Sequence, residues 1–132
     1  MIEANETFTV IGDDGAKEFL DLGIGGAGNI GTFHELLYEA SSPDSWEKGD
    51  LVGRAYGVFV ITPNDHAVVT LTLHFGDDES IDSITAQGAL PRSGDDVGKG
   101  VLTVAGGTGM FKNRGGQLHV DVMNPHKYTA EP

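Results

Sequence analysis

Gly106-Gly107-Thr108-Gly109-Met110-Phe111 is the stretch on which the reading of this chain turns. A glycine-rich run suggests a phosphate loop, but that loop needs a GK[ST] ending and a following helix. Here Met110-Phe111 follows, and then strand-like sequence over Gly116–Met123. The run therefore reads as a tight turn joining Val101–Ala105 to Gly116–Met123. Its glycines permit positive φ and close backbone approach, while Phe111 plugs the core.

The neighbouring sequence has the same character. His66–Phe75 places Ala67, Val69, Leu71, Leu73 and Phe75 on one face and His66, Thr70, Thr72 and His74 on the other. That period of two, with β-branched enrichment, predicts a strand. Leu51–Thr62 is a second, ended by the turn Pro63-Asn64-Asp65, and Ile81–Leu90 a third. Ala16–Ile24 and Thr32–Ala40 make the first two strands, separated by a glycine-rich turn, Gly25–Gly31. Glu35, Leu36, Leu37 and Glu39 favour helix locally, yet Thr32–Ala40 is assigned as strand because its neighbours need a pairing partner. Ser41–Asp50, which holds the only tryptophan, Trp46, and Pro91–Gly100 read as polar loops. Acidic clusters at Asp13-Asp14, Asp77–Glu79 and Asp95-Asp96 are expected in solvated loops. Asn124–Pro132 reads as a short tail that adds a last edge strand.

Seven or eight short strands with little helix predict an all-β barrel or sandwich. The 132 residues fit one domain, 1–132. Twenty glycines, against an expected share of about 7%, fit many turns and bulges. Twenty acidic residues against eight basic ones give a net charge of −12. That field repels phosphates and anionic headgroups, so neither nucleic acid nor membrane is an expected partner. With no cysteine, no disulfide or thiolate metal site can form. Met1–Val10 lacks the basic and apolar regions of a secretory leader. No apolar run approaches the ~18 residues of a bilayer span, so a cytoplasmic protein is expected.

The five histidines contain no HxH pair, and His66 and His74 would stand ~27 Å apart along one strand, too far to share an ion. No metal site is expected. No GxSxG elbow marks a hydrolase nucleophile. What remains are polar residues embedded in apolar strands: Glu35 and Tyr38, Arg54 and Tyr56, Thr85 and Gln87, with Arg114 after the glycine turn. If Glu35 and Arg54 point inward, a charged pair in an apolar cavity would orient a ligand or stabilise developing charge. The alternative is a structural ion pair or solvent-facing side chains.

Three blocks carry a family resemblance. Leu51-Val52-Gly53-Arg54-Ala55-Tyr56-Gly57 resembles the VGRAxG strand of dirigent proteins. The GGTGMF run followed by Arg114-Gly115 resembles their GGTGxF…RG segment, and through Gly116-Gln117 it is similar to the GGSGxFxxxxGQ pattern of allene oxide cyclases. Leu37-Tyr38-Glu39 resembles the LYD that closes an early strand in that group. The resemblance implies an eight-stranded antiparallel β-barrel of allene oxide cyclase/dirigent type, with a hydrophobic cavity, no metal or organic cofactor, and commonly a trimer. It implies a cofactor-independent cyclase or isomerase that steers stereoselective ring closure of a reactive, largely apolar intermediate of specialised metabolism, such as a polyketide. On this reading Glu35, Arg54 and Tyr56 are the catalytic residues, and Tyr38, Gln87, Phe111 and Arg114 contact the substrate. Glu18 or Asp21 stands nearest the first-strand acid of allene oxide cyclases. Apolar residues on both strand faces fit a homo-oligomer, trimer or dimer. A noncatalytic carrier of small hydrophobic ligands and a dirigent-type guide of radical coupling are the alternatives. The absence of cysteine and of a leader separates the chain from plant dirigent proteins, as does Met110 within the glycine turn.

Overall fold

The computed structural model describes residues 2–20, 28–94, 96–122 and 125–132. Its strands are β1 (Phe8–Leu20), β2 (Ile30–Glu39), β3 (Leu51–Ile61), β4 (His66–Phe75), β5 (Asp82–Ser93), β6 (Asp96–Val97), β7 (Gly100–Thr108), β8 (Gln117–Asp121) and β9 (His126–Glu131). All neighbours are antiparallel, in the order β4-β3-β2-β1-β9-β8-β7-β5, and β4 also pairs with β5. That last pairing closes an eight-stranded barrel, with the two-residue β6 folded back on the end of β5. The fold is the all-β barrel that the sequence predicts.

The alternation read in β4 is the one that builds the core. Ala67, Val69, Leu71, Leu73 and Phe75 are all buried, and they join Ala55, Phe59 and Ile61 of β3 with Ile84, Ala86 and Leu90 of β5. The intervening β4 residues face outward, as period two demands.

Three elements differ from expectation. β1 starts at Phe8 rather than Ala16, because Asp13-Asp14 sits in the middle of a strand and not in a loop. The pairing of β1 with β2 slips there, Asp13 opposite Leu36 and Ala16 opposite His34, so the acidic pair belongs to a β-bulge. The tail is no edge strand: β9 lies between β1 and β8 and hydrogen-bonds to both. The expected loop Pro91–Gly100 is partly strand, since β5 runs to Ser93 and pairs with β6. The expected strand end at 21–24 and turn at 25–27 lie outside the described residues.

One end of the barrel is filled. Phe111, carried by a single 3₁₀ turn over Gly109–Phe111, is fully buried against Phe75 (centroids 5.0 Å apart) and Phe8 (5.9 Å). The Arg114 guanidinium lies over the Phe8 ring and donates through Nη1 to the carbonyls of Ala4 and Glu6, tying the N-terminal segment across this end. Gly109 at φ +60 permits the sharp turn.

Removing this plug leaves a cavity that the closed barrel cannot collapse around. Phe111→Ala should cost about 3–5 kcal/mol and lower the thermal midpoint by more than about 10 °C. Calorimetry of the two proteins checks this; a loss below ~1 kcal/mol would show that Phe111 does not hold the end together.

Candidate active site

Toward the opposite end the barrel encloses a cavity of about 560 Å³, and two cross-strand pairs explain its size. Phe33 of β2 stands opposite Gly57 of β3, and Phe59 of β3 opposite Gly31 of β2. A Cβ on either glycine would run into the facing ring. Each ring therefore lies flat against the neighbouring backbone instead of projecting across the barrel, and the space stays open. Val69, Leu71, Leu90, Leu102 and Val120 complete an apolar lining.

Into this lining β2 and β9 set three polar groups. Glu35 is only 6% exposed, and its carboxylate accepts a hydrogen bond from the Tyr128 hydroxyl. His126 presents Nδ1 to the same carboxylate, 3.0 Å from one oxygen and 3.3 Å from the other. The Tyr128 oxygen is 3.3 Å from His126 Nδ1, so the three groups meet around one point. His126 and Tyr128 are two residues apart on one strand and share its inner face. With Nδ1 turned to Glu35, Nε2 is the imidazole nitrogen left to meet a ligand. The hydrogen bond that His126 donates to Glu35 raises the His126 pKa, outweighing the opposing effect of burial. Burial first, and then the Glu35 charge and hydrogen bond, hold the Tyr128 phenol well above its ordinary value. Tyr128 thus stays a neutral donor. At the mouth Lys17 lies 5.5 Å from the centre of the Phe59 ring and 4.0 Å from the Asp96 carboxylate.

Of the residues singled out by sequence, Glu35 lines the cavity. The expected Glu35–Arg54 pair does not form. Register sets Glu35 opposite Ala55 and Leu36 opposite Arg54, so the two charges lie on opposite faces of the sheet. Arg54 is half-exposed on the outside, 4.0 Å from Asp78. Tyr56 and Gln87 also face outward. Tyr38 lies outside as well, donating its hydroxyl to Asp14 at 2.7 Å beneath the Lys48 ammonium. Phe111 and Arg114 belong to the plug at the other end and do not line the cavity. Glu18 is exposed on β1, and Asp21 lies outside the described residues. His126 and Tyr128 were the residues missed, although their i, i+2 spacing is a strand signal.

No protein-family model matches the chain, and no curated protein matches it. Several solved structures share its fold, and two illustrate the likeness. A pyocyanin demethylase is 24% identical with a TM-score of 0.67, over 95% of this chain and 98% of that one. A pterocarpan synthase dirigent protein is 15% identical with a TM-score of 0.61, over 96% of this chain and 86% of that one. The chain therefore has the dirigent-type barrel fold.

The raised pKa of His126 gives the site a pH signature. The histidine should titrate above 6.5 in the native protein, and Glu35→Gln, which removes the charge but not the burial, should bring it to 6.5 or below. Stabilisation from the pair is complete below the ordinary histidine pKa and is lost as pH rises through the raised one. The stability gap between native protein and Glu35→Gln should accordingly narrow above that point. NMR titration of the imidazole and melting curves across pH read both; an unshifted His126 in the native protein would contradict the pairing.

Proposed function

We propose that the barrel is a cofactor-independent isomerase or cyclase that moves protons on a small, largely apolar, reactive substrate held in the cavity. The observation that carries this reading is the buried Glu35 carboxylate, held by Tyr128 and His126 in a cavity that Val69, Leu71, Leu102 and Val120 also line. The Glu35 carboxylate takes a proton from the substrate, while His126 gives its Nε2 proton to the substrate oxygen or nitrogen on which charge develops. The Nδ1 proton stays in the hydrogen bond between the two residues throughout, so solvent at the open end of the cavity returns a proton to Nε2 and takes the one on Glu35, and the site is reset with no net proton gained or lost. Tyr128, neutral throughout, fixes the carboxylate. The apolar walls fold the substrate so that the atoms to be joined are in contact, which lowers the barrier by orientation. The fold's occurrence in proteins named for demethylating pyocyanin and for synthesising a pterocarpan supports chemistry on small organic molecules in such a barrel.

The same reading includes self-association. On the outer face, Tyr56, Val58 and Val60 of β3 pair across to Thr72, Thr70 and Val68 of β4, and these to Thr85, Gln87 and Ala89 of β5. Nine contiguous positions thus carry no charge in a chain of net −12. Repulsion between two copies is least across such a face, and a second copy of this chain is the partner that fits it.

Two experiments test these proposals. Protein incubated in D₂O with pyocyanin and with a panel of cyclisable aryl ketones should incorporate deuterium or convert at least one of them. Glu35→Gln and His126→Ala should then lose about 10²–10⁴-fold in turnover, and Tyr128→Phe about tenfold, while Arg54→Met stays near native. A ligand that binds tightly and is recovered unchanged and undeuterated would replace the enzyme reading with that of a noncatalytic carrier. Light scattering should give a multiple of the 13.9 kDa chain mass, and Val58→Asp with Val68→Asp should return it to one chain; a native monomer rules out the outer-face contact.

A further inference from the structure

Strand β1 separates Glu35 on β2 from His126 and Tyr128 on β9, so the carboxylate must cross a whole strand to reach its partners. Adjacent strands stand about 4.8 Å apart, and an inward side chain of β1 at this level would fill the crossing. The residue there is Gly12, paired with Leu37 on one side and His126 on the other. A Cβ built on it runs into the Glu35 carboxylate. Gly12 is not among the positive-φ residues, so its backbone does not call for glycine. Glycine inside a strand weakens it, and close approach of another group is the usual compensation.

The bulge continues the device. Because Asp13 pairs with Leu36 and Ala16 with His34, both Asp14 and Gly15 stand opposite Glu35. Asp14 adopts φ +59, and its carboxylate takes the Tyr38 hydroxyl at 2.7 Å and Lys48 Nζ at 3.4 Å. Lys48 also reaches Asp13 at 3.1 Å. A Cβ on Gly15 would collide with the His34 carbonyl and press on Glu35 itself. Bulges beside sites re-aim side chains, and this one faces Glu35.

We propose that Gly12 and the Asp13–Gly15 bulge, pinned by Tyr38 and Lys48, are the positioning elements that set the Glu35 carboxylate against His126 and Tyr128. The inference rests on the observed pair, and only its effect on turnover rests on the proton-transfer reading. Tyr38, expected from sequence to touch substrate, acts here from outside the barrel, through Asp14.

The test uses Gly12→Ala and Tyr38→Phe in the full chain, with NMR titration of His126 beside the pH–rate profile. The groups facing His126 are Glu35, Tyr128, Lys17 and Asp13, and neither substitution alters them. The added methyl should push the carboxylate aside, so that His126 titrates closer to 6.5 and turnover falls about a hundredfold. Tyr38→Phe frees the bulge without adding volume and should move both in the same direction by less. Folded variants that titrate as the native protein does overturn the proposal. If Gly12→Ala does not fold, Tyr38→Phe decides alone, and a native His126 titration in it overturns the proposal. A lowered His126 titration with unchanged turnover upholds the positioning and counts instead against proton transfer.

Discussion

Without β9, β1 and β8 would each present a row of unpaired backbone groups, and the sheet would be an open ribbon with its apolar face in water. The six residues His126–Glu131 occupy that gap, pairing Val10 with Tyr128 on one side and Val120 with Tyr128 on the other. Closure and site formation are the same event. The register that satisfies both edges also swings His126 and Tyr128 inward, two strands from Glu35. Anything that shifts β9 by one residue exchanges its faces and empties the site of both partners.

Glu35 shows why those partners are needed. A carboxylate taken into an apolar wall is costly unless its oxygens are hydrogen-bonded and its charge is met. Tyr128 supplies the first and His126 the second. The same contacts that make burial tolerable keep the phenol protonated and raise the pKa of the imidazole, so stability and the proposed proton transfer draw on one set of bonds. The filled end supports this by contrast. There Phe8, Phe75 and Phe111 interlock, and the cation, Arg114, is spent on backbone carbonyls of the N-terminal segment. One end is packed solid, and the other is kept open by glycines under flat aromatic rings.

The barrel was legible because its central strands alternate without interruption, as β4 does from Ala67 to Phe75. β1 was not, because Asp13-Asp14-Gly15 has the composition of a turn, and a bulge uses the same residues for the same reason: one of them must take positive φ. Glu35 was legible as a polar residue in an apolar strand. Its partner was not. Whether Arg54 shares a face with Glu35 depends on the parity of the β2–β3 register, and both faces of β3 are apolar enough to be the inner one. His126 and Tyr128 carry the right spacing, but in a segment too short for periodicity to separate strand from tail.

The glycines of β1 and the aromatic–glycine pairs of β2 and β3 serve opposite purposes in one cavity with one device. At Gly31 and Gly57 a missing Cβ lets a ring lie back and makes room for a ligand. At Gly12 a missing Cβ lets a carboxylate reach forward and meet its partners across a strand. The cavity therefore presents a carboxylate paired with an imidazole rather than an isolated charge. At the apolar walls a largely apolar substrate meets this pair and not a lone carboxylate. An anionic one would have to displace Glu35 from His126, and a cationic one would compete with the same histidine. Within the proposed reaction this favours neutral substrates that acquire charge only as the proton moves, where a preorganised dipole is of most effect.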